Sequence, residues 1–538
     1  MADRNAPASS SPPRAVSPRT RRARLEGPLL LVVAGSGMTT MAVEMAASRL
    51  LAPYFGDSIL VWANLIGLIL VYLSLGAYLG GRWADRRPRP EFLLSITALS
   101  ALWIGLIPLA AAPVLRLAQN AFGRSAAALG TYDALQIGGS FGSVLVLLAP
   151  PVILLGTVSP FAIRLLTRRA HRAGSSAGRV YALSTIGSIV GTFSPVLITI
   201  PLLGTARTFY LFGSLLLALS LIGLVAVRAR RRALLTGLAL ALVLGLAAFL
   251  PPHVVKADER AIFETESRYN YIQVLEVGQV RYLMLNEGQG VHSIYDPGQL
   301  ATQGTWDLLT IAPLINQPPF STDQVQRICV IGLAGGTMAR QATALYGPVP
   351  IDGVEIDPAI IDVGRRFFDM NQENLQAIAT DGRFYLEQSP HQYDLIAVDA
   401  YRLPYIPFQL ATSEFFGLAQ AHLTEQGVLA INVGRTPSDY RMVEAMAATL
   451  GVHFEYVHAI DVADTFNTIL IAANQPSSVA NLAANAGQTA QAWAIQVAAQ
   501  AAENVRPLAG DGPAFTDDRA PVESLTNAII VRYLLGIQ

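Results

Sequence analysis

Lysine is almost missing from this 538-residue chain, where Lys256 is the only one. No Gly-Lys-Ser/Thr stretch exists, which excludes a Walker phosphate loop and leaves little room for a Schiff-base lysine. Cysteine is just as scarce. Cys329 stands alone, so no intramolecular disulfide can form and cysteine says nothing about compartment. Charged residues make up only 14% of the chain against 52% hydrophobic, with a mean hydropathy of +0.41, a balance far too apolar for an ordinary soluble protein. The formal net charge is zero, so no global basic field would recruit nucleic acid. The seven histidines are scattered. His453 and His458 fall five apart in a run read as a strand, 453–458, which puts them on opposite faces and argues against a metal site.

What is present divides the chain in two. Residues 1–26, rich in Ala, Ser, Pro and Arg, read as a disordered basic tail. Residues 27–251 read as a transmembrane domain of about seven helices, near 28–51, 59–80, 92–114, 138–163, 182–203, 207–227 and 233–250, each close to the ~20 residues that a bilayer requires. Pro150-Pro151 predicts a kink or break in the fourth. Arginines crowd alternate ends: Arg19, Arg21, Arg22 and Arg24 in the tail; Arg82, Arg86, Arg87 and Arg89; Arg168, Arg169, Arg172 and Arg179; and Arg228, Arg230, Arg231 and Arg232. The positive-inside rule then places the amino terminus in the cytoplasm, at a cell (inner) membrane. Seven crossings put everything after Leu250 outside, yet a nucleotide-type cofactor is expected in the cytoplasm. One mis-assigned segment, such as a re-entrant seventh, reverses the parity, so the side of the second half stays open. Glu44 and Arg49 lie at membrane depth, where an ionisable group is a functional candidate by default, although pairing or snorkelling explains them equally well; Asp57 follows a turn at Gly56. Gly76, Gly80 and Gly81 have the spacing of a close helix contact.

From Arg260 polar residues return. Tyr271 to Val277 and Val280 to Leu285 flank Gly278-Gln279 and read as a β-hairpin, the mark of a small subdomain at 258–300. Residues 301–475 alternate strands (328–331, 351–355, 376–379, 394–398, 428–433, 453–458, 467–472) with helices (336–345, 359–369, 412–424, 437–449), a pattern that argues a doubly wound, mostly parallel sheet. The last two strands have a short connection and are expected to pair antiparallel, which is the usual close of a class I methyltransferase-like (Rossmann-like) α/β domain. Residues 476–538 read as a C-terminal helical extension, with an exposed helix over 478–502 and a final one over Leu525 to Leu535.

The site is expected beyond the carboxyl ends of the strands. The first strand of the series ends in a glycine turn (Gly332, Gly335, Gly336), where the backbone can approach a ligand, and Glu355 ends the next, placed to accept ribose hydroxyl protons. Asp381, with the Gly382 backbone, follows the third and fits an adenine edge, although a helix cap is the competing reading. Asp399 follows the fourth and points toward a second substrate.

In order, ETESRYNYIQV (264–274), LNEG (285–288), VIGLAGGT (330–337), VEIDP (354–358), DGRFYL (381–386) and YDLIAVDAY (393–401) resemble the spermidine synthase (polyamine aminopropyltransferase) family. SRLLAPYFG (48–56), LSLGAYLGGRWADR (73–86) and GRVYALSTIGSIVG (178–191) resemble the multi-spanning segment fused ahead of such domains in bacterial proteins. The resemblance implies decarboxylated S-adenosylmethionine as co-substrate, with Glu355 on its ribose and Asp381 on its adenine, and Asp399 taking a proton from the attacking amine or orienting it. It departs in three places. The glycine turn is shorter and lacks the family's internal aspartate. Asn270 stands where a glutamine is usual. Arg402 stands where soluble members carry the aspartate that holds the distal ammonium of the diamine. Asn270, Tyr401 and Arg402 are therefore the substrate-binding candidates, with Arg402 placed to meet either an anionic substrate or Glu414.

The expected partners are a small-molecule amine or other acceptor, the lipid bilayer and, as an option, a second copy of the chain; no metal or nucleic acid is expected. Two other functions stay open: a transferase using intact S-adenosylmethionine, such as a methyltransferase acting on a membrane-associated molecule, and a non-catalytic transporter or sensor whose soluble domain only binds its ligand.

Overall fold

The computed structural model describes residues 18–55, 59–129, 138–167, 173–250, 260–286, 290–401, 405–509 and 512–534. Asp57, Arg168, Arg169, Arg172 and Arg402 lie outside them, as do residues 1–17 of the tail. The chain forms two compact units. One comprises Met1–Leu50, Trp62–Val114 and Ser143–His253, and the other Leu51–Val61, Leu115–Gly142 and Val254–Gln538.

Among the described residues seven helices are long and apolar enough to cross a membrane: Glu26–Phe55, Val61–Arg86, Pro90–Ala118, Ser140–Leu166, Ala173–Leu203, Thr205–Ala226 and Arg230–Phe249. The first is already helical from Pro18, which corrects the tail reading for residues 18–26. Ala, Arg and Leu are good helix formers, so a stretch too polar for a core can still extend an adjoining helix. The expected break at Pro150-Pro151 is also displaced. Helix Ser140–Gly156 runs through both prolines and is interrupted only at Thr157. Pro151 has no N–H to offer the Leu147 carbonyl, and the Trp103 indole donates to that oxygen instead, at 3.1 Å.

Helix contacts in this unit rest on missing side chains. A Cβ on Gly80 would lie 2.6 Å from Thr157 Cα, and one on Gly76 would lie 2.9 Å from Gly156 Cα. Gly187 and Gly191 make the same kind of approach to Ala34 and Met38. Gly81 meets nothing within 4 Å and does not share in the contact.

The second unit carries two sheets. The smaller is antiparallel, ordered β1 (Ala261–Glu266), β2 (Tyr271–Val277), β3 (Val280–Leu285), β4 (Val291–Tyr295). The β2–β3 hairpin is the expected one and turns at Gly278, whose φ of 68° suits glycine. Ile272, Val274 and Leu283 pack against Ile360, Val363 and Phe368, so this sheet is seated on helix Pro358–Phe367 and its C-terminal flank.

The larger sheet has eight strands: β5 (Ile328–Ile331), β6 (Ile351–Glu355), β7 (Leu375–Ala379), β8 (Tyr393–Val398), β9 (Leu423–Gly434), β10 (Tyr456–Asp461), β11 (Asn467–Ala473) and β12 (Val505–Arg506). Their order is β12-β10-β11-β9-β8-β5-β6-β7. β5 to β9 pair in parallel, and β10 and β11 run antiparallel, giving the Rossmann-like arrangement that the alternation implies. Successive residues of the central strands enter opposite cores: Ile328 and Val330 one, Cys329 and Ile331 the other. A strand apolar on both faces is the signature of a doubly covered parallel sheet.

Three expectations need correction here. The strand placed at 453–458 is β10 at Tyr456–Asp461, because helix Arg441–Leu450 continues into a turn that holds His453. His453 Nε2 meets Ser413 Oγ and His458 Nε2 meets Ser477 Oγ, each at 2.9 Å, so the two rings belong to separate contacts. The single exposed helix over 478–502 is two helices, Val479–Ala486 and Ala492–Glu503. Their faces Val479, Leu482, Ala486 and Ala494, Val497, Ala498 belong to the main core, since helical periodicity hides an apolar stripe within an Ala- and Gln-rich composition. The C-terminal region is no separate extension either, because β12 joins the sheet.

The glycine contacts give a test. Gly80→Ala is expected to destabilise the helical unit by about 1–3 kcal/mol through overpacking, whereas Gly81→Ala leaves the melting temperature of detergent-solubilised protein unchanged.

Candidate active site

Register builds the site. Ile331 at the end of β5 pairs with Val354 of β6 on one side and with Val398 of β8 on the other. The next residues, Gly332, Glu355 and Asp399, therefore stand side by side at the carboxyl edge. Glu355 and Asp399 flank β5, about 10 Å apart by the strand spacing. Gly332 N–H donates to Val354 O and Asp399 N–H to Ile331 O, both at 2.9 Å. Gly332 has φ 92°, and a Cβ there would lie 2.6 Å from the Asp399 carbonyl oxygen. Only glycine fits.

The rest of the turn is held by protein groups. Ala334, at φ 48°, donates its N–H to Glu355 Oε2 at 3.0 Å. Gly335 N–H donates to Ser293 Oγ of β4 at 2.8 Å. A Cβ on Gly336 would run against Met370 Sδ at 2.7 Å. Gly335 and Gly336 thus make room for neighbouring protein as well as for a close backbone.

Glu355 is only 8% exposed. Its Oε1 accepts from Asp357 N–H at 3.1 Å. Burial pushes its carboxyl up to about 7 even though these backbone donors favour the ionised form. Asp357 caps helix Pro358–Phe367 through Ala359 N–H and accepts from Ser267 Oγ and, at 2.9 Å, from Asn270 Nδ2. Asn270 Oδ1 in turn accepts from Asn286 Nδ2 at 2.9 Å. Asn270 therefore stands on the Glu355 side of the edge, tying the small sheet to the loop that follows Glu355.

Asp381 is the N-cap of helix Gly382–Gln388, accepting from Phe384 N–H at 3.0 Å. A Cβ on Gly382 would collide with Ile331 Cγ2, so this helix starts hard against β5.

Asp399 Oδ1 accepts from Asn432 Nδ2 at 2.8 Å, and the nearby Trp306 side chain favours the ionised carboxylate. Asn432 Oδ1 accepts from Asn467 Nδ2 at 2.9 Å, and the Tyr401 hydroxyl donates to Asn432 O at 3.0 Å. Burial pushes Asp399 up to about 6, with Asn432 and Trp306 pulling the other way. Burial also raises the Tyr401 phenol, which is a neutral donor at ordinary pH. Arg402 is outside the described residues; Glu414, its suggested partner, accepts from Asp517 N–H at 3.0 Å.

Trp306, Asn432 and Asn467 went unread in the sequence. Their one signal is the position of Asn432: a polar residue at the carboxyl end of the apolar run 428–433, on the strand beside that of Asp399. Among the described residues the hydrogen-bond partners of Glu355 and Asp399 are neutral backbone and side-chain groups, and neither carboxylate has an ion-pair partner.

The family model described as "Spermine/spermidine synthase domain" matches residues 312–462. A solved structure, a probable spermidine synthase from Corynebacterium glutamicum, is 20% identical and covers 44% of this chain and 94% of its own, with a TM-score of 0.38. A probable polyamine aminopropyl transferase of Bifidobacterium longum is 30% identical over 281 residues, which is 49% of this chain and 61% of that protein. The match thus spans about six-tenths of that relative's length. Polyamine aminopropyltransferase 2 of Ralstonia nicotianae is 24% identical over 454 residues, 80% of this chain and 83% of that one. Residues 312–462 of this chain thus match the spermidine synthase domain, and seven apolar helices precede them in sequence.

Proposed function

We propose that the chain is a membrane-inserted transferase that moves an aminopropyl group from decarboxylated S-adenosylmethionine to an amine. The observation that carries this reading is a pair of carboxyls, buried Glu355 and half-buried Asp399, on one sheet edge, whose hydrogen-bond partners among the described residues are neutral. A carboxylate out of water without a counter-ion is costly, and a cationic ligand removes that cost. A sulfonium nucleoside and a protonated amine are both cations. The match of residues 312–462 to the spermidine synthase domain points to the same pair of substrates.

In this reading Glu355 holds the ribose diol, and Asp381 with the Gly382 backbone borders the adenine. Asp399, oriented by Asn432 with Trp306 nearby, takes one proton from the acceptor ammonium, because the amine is nucleophilic only when neutral. The nitrogen lone pair then forms a bond to the methylene beside sulfur. The carbon–sulfur bond breaks, its electron pair stays on sulfur, and methylthioadenosine leaves as a neutral thioether. The leaving group needs no acid, so the protein's task is alignment and charge. Tyr401, held by Asn432 O, forms part of the acceptor wall, with Arg402 next to it in sequence. The seven apolar helices anchor the chain in a cell membrane, with the amino terminus in the cytoplasm.

Two outcomes test the assignment. Asp399→Asn is expected to lower kcat for the decarboxylated co-substrate and a panel of amines by at least ~10²-fold while calorimetric binding of the nucleoside is kept. Because Asp399 sits at about 6, the parent's kcat should fall below pH 6 as the base becomes protonated. Loss of nucleoside binding in this variant, or exclusive binding of intact S-adenosylmethionine, contradicts the assignment. Glu355 sits at about 7 and is ionised above that pH, so nucleoside affinity should rise between pH 6 and 8 in the parent and lose that rise in Glu355→Gln, as measured by titration calorimetry.

A further inference from the structure

The parity of the seven helices and the position of their arginines decide which compartment holds the second unit. The four arginine groups belong to the start of the first helix and to the links 2–3, 4–5 and 6–7. The structure gathers these ends at one face of the helical unit. Val32, Ala84, Leu93, Phe161, Val180 and Leu224, one from near that end of each of the first six helices, form a single buried cluster, and Ala233 of the seventh packs against it. Two ion pairs join the same ends, Arg179 to Glu26 at 2.7 Å and Arg164 to Asp85 at 3.0 Å. The other ends carry Arg49, Arg116, Arg124 and Arg207, with Lys256 and Arg260 after the seventh helix, six basic residues against sixteen.

The seventh helix has the length and continuity of a full crossing. Arg230–Phe249 is one uninterrupted helix of 20 residues, which rises about 30 Å, the thickness of a hydrocarbon core. It starts in the arginine face and ends away from it. Basic residues flanking short loops stay in the cytoplasm. With the arginine face there, Phe249 and all that follows it lie across the membrane.

We infer that the second unit, with its Gly332–Glu355–Asp399 edge, works on the non-cytoplasmic side. The consequence deepens the proposed function and rests on it: a sulfonium nucleoside carries a fixed positive charge and does not cross hydrocarbon unaided. A transport step must therefore bring that co-substrate to the site if it is made in the cytoplasm.

Cysteine labelling tests the side independently of catalysis, because the native Cys329 is buried and silent. Two full-length variants are compared in sealed, right-side-out membrane vesicles with a membrane-impermeant maleimide. Pro88→Cys is in the exposed link between Arg87 and Arg89, and Gln496→Cys is on the exposed side of helix Ala492–Glu503. The inference expects Gln496→Cys to react in sealed vesicles and Pro88→Cys only after permeabilisation. The reverse pattern overturns it. Equal behaviour of the two sites, both reacting in sealed vesicles or both only after permeabilisation, puts them on one side and also overturns it, and none of these results alters the turnover assay that tests the transferase reading.

Discussion

The whole candidate site depends on one close approach, that of the Gly332 Cα to the Asp399 carbonyl. β5 and β8 are in register to their last residues, so the glycine turn and the acid leave the sheet at the same level. A side chain at 332 would have to occupy the space of the Asp399 backbone. With the glycine there, Ala334 N–H reaches Glu355, and the two carboxyls end up on either side of one strand. The geometry that a nucleoside and an acceptor would share is thus set by backbone contact rather than by the carboxylates themselves.

Desolvation then gives those carboxyls their chemistry. Both are raised toward neutrality by burial, and both are held in place by neutral donors. At the same edge Asp357 and Asp381 cap helices, Asp357 also taking Ser267 and Asn270, so these acids differ from Glu355 and Asp399 in their partners. Asn270 binds the small sheet to Asp357 and fixes the loop that follows Glu355.

Much of this was legible from residues alone. Apolar runs such as Ile328–Ile331 declare buried parallel strands, because both faces must be covered, and the acids at their ends mark the candidate edge. Seven long apolar stretches are equally plain. Other parts leave no periodic trace. Asn432 and Asn467 orient Asp399 across two strands, a relation that exists only once β9 and β11 pair. The burial of the helix face Ala494–Val497–Ala498 was masked by alanine, which is small enough to pack and polar-neutral enough to look exposed. Gly451 stops one helix and shifts the following strand by three residues, which separates His453 from His458 by more than strand alternation suggests. The run through Pro150-Pro151 holds because Trp103, on another helix, supplies the missing donor, and no local reading of the prolines can see it.

The helical unit and the α/β unit obey different rules of assembly, one by glycine contacts and the other by layered apolar faces. The central claim concerns what the second does. Purified full-length protein incubated with decarboxylated S-adenosylmethionine and a mixture of small amines, followed by mass spectrometry, tests it most directly. The account predicts methylthioadenosine and one aminopropylated amine in equal amounts. Formation of S-adenosylhomocysteine from intact S-adenosylmethionine under the same conditions, with no methylthioadenosine from the decarboxylated form, would contradict it.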